Sequence, residues 1–376
     1  MEQENIFLMM EKDLMNTDMN NRLDRLRVYL DDNKIIYKKN HQIKYETYFK
    51  MGGVVHTFIL PTCLEDLILL LKYLSNEKIK YKILGLTTNV FILDEFEYSI
   101  FISTRFLTKV TINKNTIEVE CGYSIEDFTR ISLLKSSTGY EGLEGIPGSI
   151  GGGIIMNAGA YGFTISDHIN TVTCLNPSLE VVILNKEKCL FTHRNSLFKN
   201  TSDWTILSVN FKIIDGERIK ISKKMEDYHI ARHSYQEFSY PTLGSLFSVK
   251  SDFYREFLKK NIFYYFTLLF LKLIYKNPFI KFIMRKNPNN KIFNKLISIY
   301  LAPKKIEHTY SVKSMNILIN DGSSKTNDIL DYITLLRNHL DENVLIENEI
   351  IISPLLNQNK TTTECIKNMK YKGLIA

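Results

Sequence analysis

Apolar and polar residues alternate along most of this chain with the two periods that distinguish helices from strands. Leu23, Leu26 and Leu30 share one face if Asn21–Leu30 is helical. Helices are predicted at Asn21–Leu30, Glu65–Leu74, Ser124–Lys135, Lys220–Arg232 and Thr326–Leu340. Strands are predicted at Tyr45–Met51, Tyr81–Leu84, Phe91–Leu93, Ile100–Ser103, Lys109–Ile112, Thr116–Cys121, Ile169–Leu175, Val181–Asn185, Ile206–Ile214, Ser314–Ile319 and within Val344–Ile352.

The order of these elements predicts the fold class. Strands and helices alternate to about residue 135 and a strand-rich block follows, which favours an α+β fold with mixed sheets. No G-x-G-x-x-G stands directly after the first strand, so a Rossmann fold is not indicated. Beyond about residue 216 the chain becomes rich in lysine and aromatic residues.

Composition is that of a globular protein rather than a disordered or membrane-spanning one. The 376 residues are 44% hydrophobic and 24% charged, enough for two or three cores. The cysteine count is odd, five, and no C-x-x-C pair occurs, so we expect reduced thiols, no metal site and a cytoplasmic location. The first thirteen residues are acidic and lack a basic region, which argues against an ordinary secretory signal.

The net charge of +7 is concentrated in one segment. Residues 251–303 contain ten Lys and Arg against only Asp252 and Glu256, so the rest of the chain is close to neutral and no nucleic-acid partner is expected. The uncharged run Ile262–Leu271 is shorter than the ~20 residues that span a bilayer. Two interpretations stay open: a helical hairpin that packs on its own domain, favoured because Pro278 and Pro288 divide the run, or a peripheral membrane or protein contact.

The segment Gly142–Gly162 is the most informative in the chain. Its 21 residues hold eight glycines, one proline and one charge. Such a segment is expected to make a poor helix and a poor strand, and to bring backbone N–H groups close to a flat anionic ligand such as a dinucleotide. The alternative is a glycine-rich linker, but the isoleucines at Ile146, Ile150 and Ile154 argue against it.

The loop Gly85–Asn89 follows a predicted strand and is a second candidate for anion binding. Its N–H groups and the hydroxyls of Thr87 and Thr88 can hold a diphosphate, while Asn89 can bond back to the turn. An ordinary polar turn is the alternative.

Seven stretches, in order, resemble one family, the UDP-N-acetylenolpyruvoylglucosamine reductases (MurB, UDP-N-acetylmuramate dehydrogenases). Gly142–Gly162 is similar to its G-I-P-G-x-x-G-G-x-x-x-M-N-A-G-A-Y-G segment nearly residue for residue. The weaker matches are Phe49–Gly53, Gly85–Asp94, His193–Lys199, Arg232 with Tyr240–Phe247, Asn316–Asp328 and Glu347–Ile350.

The resemblance implies a two-part FAD-binding domain of the PCMH/vanillyl-alcohol-oxidase type and an α+β substrate domain with a helical insertion. We divide the chain into an N-terminal extension (1–20), the FAD-binding domain (21–215), the substrate domain (216–345, insertion 251–303) and a C-terminal segment (346–376) that returns to the FAD domain. The implied FAD-binding residues are Gly52, Gly53, Gly85, Leu86, Thr87, Thr88, Asn89, Gly145, Ile146, Pro147, Gly148, Ser149, Gly152, Gly153, Asn157, Ala158, Gly159, Ala160 and Tyr161.

The resemblance also implies the reaction. NADPH would pass hydride to FAD and the flavin to the enolpyruvyl group of a UDP-sugar, with Ser245 as proton donor and Arg194 and Glu349 stabilising the negative charge. Arg194, Arg232 and Asn316 would contact the substrate. From the residues alone, the favoured interpretations are a turn serine for Ser245 and a surface ion-pair residue for Arg194. For Glu349 an exposed strand-edge carboxylate is the alternative.

Three departures from the family pattern affect these expectations. Thr87-Thr88 replaces a glycine-serine pair beside the bulky Leu86, His193 replaces a tyrosine, and about fifty residues follow Phe247 where the family has a short connection. The flavin site is therefore a firmer inference than the substrate. Alternatives are a flavoenzyme of another sugar or nucleotide-sugar pathway and a catalytically idle flavin-binding scaffold.

Overall fold

A computed structural model describes residues 20–201, 203–249, 252–279, 291–301, 308–341, 344–346 and 348–351, which form three sheets of three to five strands and three two-stranded sheets, together with helices. The first sheet has the strand order β1-β2-β5-β3, antiparallel between β1 and β2 and parallel elsewhere. Its elements and those beside it are α1 (20–32), β1 (Ile36–Gln42), a 3-10 helix (Ile43–Tyr45), β2 (Val54–Leu60), α2 (Leu64–Asn76), β3 (Lys82–Leu84), β4 (Val90–Ile92) and β5 (Glu97–Ser103).

The second sheet is antiparallel throughout, in the order β11-β10-β12-β7-β6. Its elements and those beside it are β6 (Val110–Ile112), β7 (Thr116–Glu120), α3 (Ile125–Leu134), a 3-10 helix (Glu141–Leu143), α4 (Ile150–Ile155), β8 (Gly159–Ala160), β9 (Phe163–Thr164), β10 (Ile169–Leu175), β11 (Val181–Asn185), a 3-10 helix (Glu187–Cys189), α5 (Leu197–Asn200) and β12 (Thr205–Lys212). Helix α3 begins as the sequence predicts, since Ser124 Oγ accepts the Asp127 N–H.

The third sheet, β13-β16-β15, is smaller. The elements of this part are α6 (Arg218–Tyr235), β13 (Thr242–Ser245), β14 (Phe247–Ser248), α7 (Phe253–Leu258), α8 (Ile262–Lys276), α9 (Lys291–Leu301), β15 (Tyr310–Ser311), β16 (Ser314–Ile319), α10 (Thr326–His339), β17 (Leu345–Ile346) and β18 (Glu349–Ile351). Strand β18 pairs in parallel with β4, and these two strands form a two-stranded sheet of their own.

Two hydrophobic cores lie on opposite sides of the first sheet. Phe58 and Phe101 point into a core shared with β16, α10 and the insertion helices, whereas their neighbours Ile59 and Ile102 point into the core of α1, α2 and the second sheet. The first sheet is therefore the layer that joins the other two parts. Residues of the insertion are part of the first core, since Phe257, Leu258 and Ile297 are at most 1% exposed.

Mixed sheets and helices confirm the α+β fold class, while the domain boundaries stay predictions. One predicted strand, Tyr45–Met51, is wrong. Thr47, Phe49 and Met51 are buried alternately, as a strand would require, but Thr47 Oγ1 donates to Met51 O at 2.8 Å and Lys50 has φ +58°, so the backbone turns. The strand of this region is β2, nine residues later along the chain than the predicted strand.

The expectation that Gly142–Gly162 makes a poor helix is also wrong, because its middle forms α4. Ser149 caps this helix by accepting the Gly152 N–H. A Cβ at Gly151 would lie 3.0 Å from Cys121, and one at Gly153 would lie 2.8 Å from Ile125 and 2.9 Å from Ile165. These glycines let the helix pack against the second sheet and α3 more closely than any side chain allows.

Candidate functional site

The loop Gly85–Asn89 leaves β3 with its backbone donors available. Thr87 has φ +58°, and its hydroxyl offsets that strain by donating to Leu86 O and accepting the Tyr48 N–H, both at 2.8 Å. Among the described residues, no acceptor faces the N–H groups of Leu86, Thr87 and Thr88. Replacing the family's glycine-serine pair with two threonines is thus compatible with a loop of free donors.

A second loop, Gly145–Ser149, lies against the first. Thr88 Oγ1 donates to Pro147 O at 3.0 Å, and a Cβ at Gly85 would lie 2.3 Å from Ser149 Oγ. Gly145 and Gly148 have φ of +69° and +137°, which only glycine adopts without strain. Within the described chain the N–H groups of Gly145, Gly148 and Ser149 have no acceptor. Two loops with free N–H groups therefore adjoin.

The N-terminal turn of α4 does not add further free donors. Ile150 N–H donates to Tyr123 O and Gly151 N–H to Cys121 O, both at 2.7 Å, while Gly152 N–H is capped by Ser149. The glycine segment thus has two roles. Gly145–Ser149 presents backbone donors, and Gly151 and Gly153 allow close packing. Gly152 is exposed, with only Ser149 Oγ near its missing Cβ.

The end of the glycine segment forms a hairpin between β8 and β9. Tyr161 and Gly162 have φ of +55° and +83°, as a two-residue type I′ turn requires. Tyr161 stacks on Tyr228, and its hydroxyl lies 3.2 Å from that of Tyr235. Burial, followed by the neighbouring Tyr235, raises the pKa of Tyr161, so it stays a neutral hydrogen-bonding group.

Two further side chains hold this segment in place. Arg232, 6% exposed, donates from Nε to Glu144 O at 3.0 Å and lies over the Tyr161 ring. Asn157 donates to Thr192 O at 2.9 Å, but its Oδ1 is buried without a partner in the described chain. Arg232 thus fixes the backbone before Gly145, and the substrate contact that the family resemblance implies for it stays a prediction.

The Gly52-Gly53 pair packs against the loop after β4. Gly52 N–H donates to Asp94 Oδ1 at 2.6 Å, and a Cβ at Gly53 would overlap Phe96 O at 1.9 Å. Asn320 Nδ2 donates to Phe49 O at 2.9 Å, which ties the third sheet to the same place. These glycines are needed because two backbone segments cross closely.

Ser245, the predicted proton donor, ends β13 beside β16. Its side chain is half-buried, and no partner for its hydroxyl occurs in the part of the chain that is described. Gly244 before it has φ +69°. Asn316 fixes the residues after it: its Oδ1 accepts Phe247 N–H and its Nδ2 donates to Phe247 O, both at 2.9 Å. Asn316 therefore holds the backbone that carries Ser245.

Asn348 joins the Ser245 strand to the Gly85–Asn89 loop. Its Nδ2 donates to Leu243 O at 3.0 Å and to Asn89 Oδ1 at 2.7 Å. Its Oδ1 is buried with no partner among the described residues. Glu349 follows, and its backbone pairs with Val90 directly after the loop. Its side chain lies outside the described part of the structure. Three predicted site segments thus meet at Asn348, a residue that the sequence interpretation did not single out.

Arg194 approaches the same region from the second sheet. It has φ +54°, and its Nη2 donates to Gly159 O at 3.1 Å. The adjacent His193 places Nε2 3.3 Å from Ser248 Oγ, three residues after Ser245. The loop of Arg194 is therefore in contact with the segment that carries the predicted proton donor.

Comparisons with known proteins agree with this geometry. Residues 55–185 match the family described as "FAD binding domain". A "UDP-N-acetylenolpyruvoylglucosamine reductase" of Caldanaerobacter subterraneus subsp. tengcongensis is 32% identical over 232 residues, covering 62% of this chain and 76% of that protein. A "UDP-N-acetylenolpyruvoylglucosamine reductase 2" of Bacillus cereus is 36% identical over 210 residues, covering 56% and 68%.

A solved structure supports the fold. "UDP-N-Acetylenolpyruvylglucosamine Reductase (MurB)" from Thermus caldophilus superposes with a TM-score of 0.61 at 18% identity, covering 85% of this chain and 99% of that one. The sequence comparisons confirm the resemblance inferred from the motifs, and the solved structure confirms the fold. With more than two thirds of these relatives covered at above 30% identity, the chain belongs to the UDP-N-acetylenolpyruvoylglucosamine reductase family.

Proposed function

We propose that this protein is an FAD-dependent reductase that converts UDP-N-acetylenolpyruvoylglucosamine to UDP-N-acetylmuramate with NADPH as hydride donor, a step of peptidoglycan precursor synthesis. The observation that carries the proposal is the junction at Asn348. One amide joins the diphosphate loop, through Asn89, to the strand that ends at Ser245. A proton donor next to a flavin cradle is what reduction of an enolpyruvyl group requires.

The residues present fit FAD. A dinucleotide diphosphate needs several N–H donors at short range, and the two adjoining loops supply donors at Leu86, Thr87 and Thr88 and at Gly148 and Ser149. Gly148 keeps this space open, since a Cβ there would lie 3.0 Å from Thr88 Oγ1. The buried Oδ1 of Asn157 leaves one acceptor for a polar edge of the ligand.

When bound, FAD supplies the redox chemistry by accepting hydride from a nicotinamide and giving it to the substrate. The protein residues handle the charge and the proton. Hydride addition at the terminal carbon of the enolpyruvyl group leaves negative charge at the adjacent carbon, delocalised into its carboxylate. Arg194, oriented by its hydrogen bond to Gly159 O, is suited to stabilise that carboxylate.

Ser245 completes the reaction by donating its hydroxyl proton to the substrate carbon. Its hydroxyl is half-buried and available, and the Asn316 hydrogen bonds to Phe247 restrict how far it can move. We assign Glu349 to the same substrate carboxylate as Arg194, to which its protonated carboxyl would donate a hydrogen bond, because its backbone is paired with Val90 directly after the Gly85–Asn89 loop.

We place this reaction in the cytoplasm, where nicotinamide and uridine nucleotides are synthesised. The four described cysteines are free, as a reducing compartment requires: Cys63, Cys121, Cys174 and Cys189. The fifth, Cys365, lies outside the described residues.

Anaerobic stopped-flow spectroscopy tests the proposal in two halves. NADPH should bleach the flavin absorbance, and UDP-N-acetylenolpyruvoylglucosamine should restore it. Ser245→Ala should bleach normally but slow the second step by about 10²–10⁴-fold, the usual contribution of a general acid. Ser298→Ala is the control, a half-buried serine of α9 whose hydroxyl donates to Lys295 O within its own helix, and it should retain the second step.

The other outcomes separate the alternatives. Purified protein that neither contains nor takes up FAD refutes every flavin proposal. Bleaching that only another sugar nucleotide reverses assigns a different substrate. Bound flavin that NADPH does not reduce identifies a scaffold. Normal reoxidation of Ser245→Ala removes that serine from the mechanism.

A further inference from the structure

Helix α8 in the insertion has two apolar faces, and only one is covered by protein. Leu268 is completely buried, and Tyr264 and Leu271 pack beside it against the first core. The opposite face consists of large side chains with 61–73% of their surface exposed. We call this set the outer face of α8: Ile262, Phe263, Phe266, Phe270 and Leu273.

Such a surface is unusual for a helix that faces only water. Outward positions on a water-exposed helix are normally polar, and contiguous apolar patches of this kind mark a contact site. The positions 262, 266, 270 and 273 follow the helical repeat, so these side chains project to one side along about 20 Å of helix.

The outer face offers no hydrogen bonds to an occupant. Its five side chains are hydrocarbon, and the nearby Thr267 hydroxyl donates to Phe263 O of its own helix at 2.8 Å. Protein–protein interfaces typically form about one hydrogen bond per 100–200 Å², together with a polar rim. Lipid acyl chains need none, which favours a bilayer over a protein partner.

Charge around the helix favours an anionic bilayer. Lys259 and Lys260 directly precede α8. Lys259 is ion-paired with Glu256 and Asp341, whereas Lys260 lies 3.9 Å from Asp341 and its side chain is 54% exposed. Lys276 stands at its C-terminal end, and the segment 251–303 as a whole has ten basic residues against two acids. Lysines at the ends of an apolar helix can reach lipid phosphates while the side chains between them enter the acyl region.

We propose that the outer face of α8 binds the surface of an anionic lipid bilayer. The helix lies parallel to the membrane with its aromatic side chains about 5–10 Å deep, at the boundary of headgroups and acyl chains. In an isolated amphipathic helix the other face is polar; here the protein core covers it. No helix in the described residues is long and apolar enough to cross a membrane, in keeping with binding at one surface.

Vesicle co-flotation of the full-length holoprotein tests this. The vesicles are phosphatidylcholine alone, or phosphatidylcholine with about one third phosphatidylglycerol. The variant Phe263→Gln, Phe266→Gln, Phe270→Gln should fold, because these side chains are exposed and glutamine is a better helix former than phenylalanine. The control replaces three apolar residues elsewhere that are 66–84% exposed: Leu134→Gln, Ile183→Gln and Ile219→Gln.

We expect the wild type to float with anionic vesicles, less with neutral ones, and less as salt is raised. The Phe variant should bind on the order of 1000-fold more weakly, since each of the three inserted aromatic side chains contributes about a tenfold effect. The control variant should bind like the wild type. Turnover in solution without vesicles should be the same in all three proteins, so this test is independent of the proposed reaction.

Several outcomes would overturn the proposal. A wild type that stays unbound, or a Phe variant that binds as well as the wild type, excludes the outer face as a membrane site. Equal binding to neutral vesicles refutes the role of charge. A wild-type dimer that the Phe variant abolishes, without vesicle binding, assigns the face to a second copy of the chain instead.

Discussion

Asn316 allows a direct test of whether a buried amide positions the Ser245 strand or binds substrate. The side chain is 7% exposed, and its donor and acceptor are both used by Phe247. Asn316→Ala would leave a buried N–H and a buried C=O unpaired, each at a cost of about 1–3 kcal/mol. Some rearrangement will recover part of this loss, so we expect unfolding free energy to fall by about 3 kcal/mol and Tm by about 5 °C or more.

The activity of the same variant should fall through kcat. A displacement of the Ser245 strand by a fraction of an ångström to 1 Å can slow a positioned step by up to about 10²-fold. KM for the UDP-sugar should change less than about twofold, because positioning and substrate binding are separate contributions.

Asn316→Asp gives a sharper test, because its effect should depend on pH. A carboxylate can still accept Phe247 N–H, but its second oxygen would face Phe247 O. Burial and this carbonyl would raise the pKa of the new carboxyl, so the protonated form is favoured in the folded state. The variant should therefore be closest to wild-type stability below about pH 4, the ordinary pKa of aspartate, and lose stability as pH rises from there towards 8.

Urea unfolding at several pH values and steady-state kinetics check these expectations. Asn294→Ala is the matched control, another buried asparagine that accepts from Met315 N–H and the Tyr254 hydroxyl but makes no bond to the Ser245 strand. It should lower stability comparably and leave kcat of the folded enzyme largely intact. An Asn316→Ala protein with normal Tm and kcat but a KM raised tenfold or more would show that Asn316 binds substrate.

Three further perturbations test other parts of the structure. Gly153→Ala should lower the free energy of unfolding by about 1–3 kcal/mol, because the added methyl group overpacks against Ile125. Gly152→Ala in the same helix should be neutral or stabilising, and equal Tm values of the two variants would contradict the packing argument. Burial acts to raise the pKa of Glu46, but hydrogen bonds from Lys38 and His41 and the charge of Arg105 lower it to about 2. The stabilisation from the ionised Glu46 is complete above pH 4.5 and is lost as pH falls towards 2. In urea titrations, Glu46→Gln should therefore lower the free energy of unfolding by about 1–2 kcal/mol at pH 6 and progressively less in acid. A difference that does not depend on pH would refute this. Asn348→Ala should weaken FAD binding by about tenfold in fluorescence titration through the loss of its bond to the diphosphate loop, and unchanged affinity would show that the loop does not need it.

The elements that the sequence predicts well are those whose burial follows a simple period. Helices α2, α3 and α10 and strands β7, β10 and β16 lie within one or two residues of their predicted bounds. The predicted strand at 45–51 is absent, although the burial of its side chains does alternate. A side-chain hydrogen bond from Thr47 and the positive φ of Lys50 turn the backbone there, and neither leaves a mark on the pattern of hydrophobicity.

The two open interpretations of the insertion prove not to exclude one another. Periodicity alone could not separate them, since α8 is apolar on all sides. Leu268 faces the core and Phe266 faces outward, two positions apart, and only the placement of the core decides which is covered. The helix packs on its own domain, as the favoured interpretation held, and the same packing fixes the other face outward.

The predicted site residues differ in how much the sequence could say of them. Motifs identified Ser245, the Gly85–Asn89 loop and Glu349 separately, but the hydrogen bonds that assemble them connect Asn348 to residues 259 and 105 positions away. Nothing in a single sequence marks such a pairing.

The sequence also could not say which group approaches each glycine of the segment Gly142–Gly162. Its composition indicated close approach correctly, yet at Gly151 and Gly153 the approaching group is the protein's own second sheet and helix α3, and only at Gly145–Ser149 does the backbone keep unpaired donors. If the ligand is held by those donors, substitutions at Gly148 should release FAD from a folded protein, whereas substitutions at Gly153 should first unfold it.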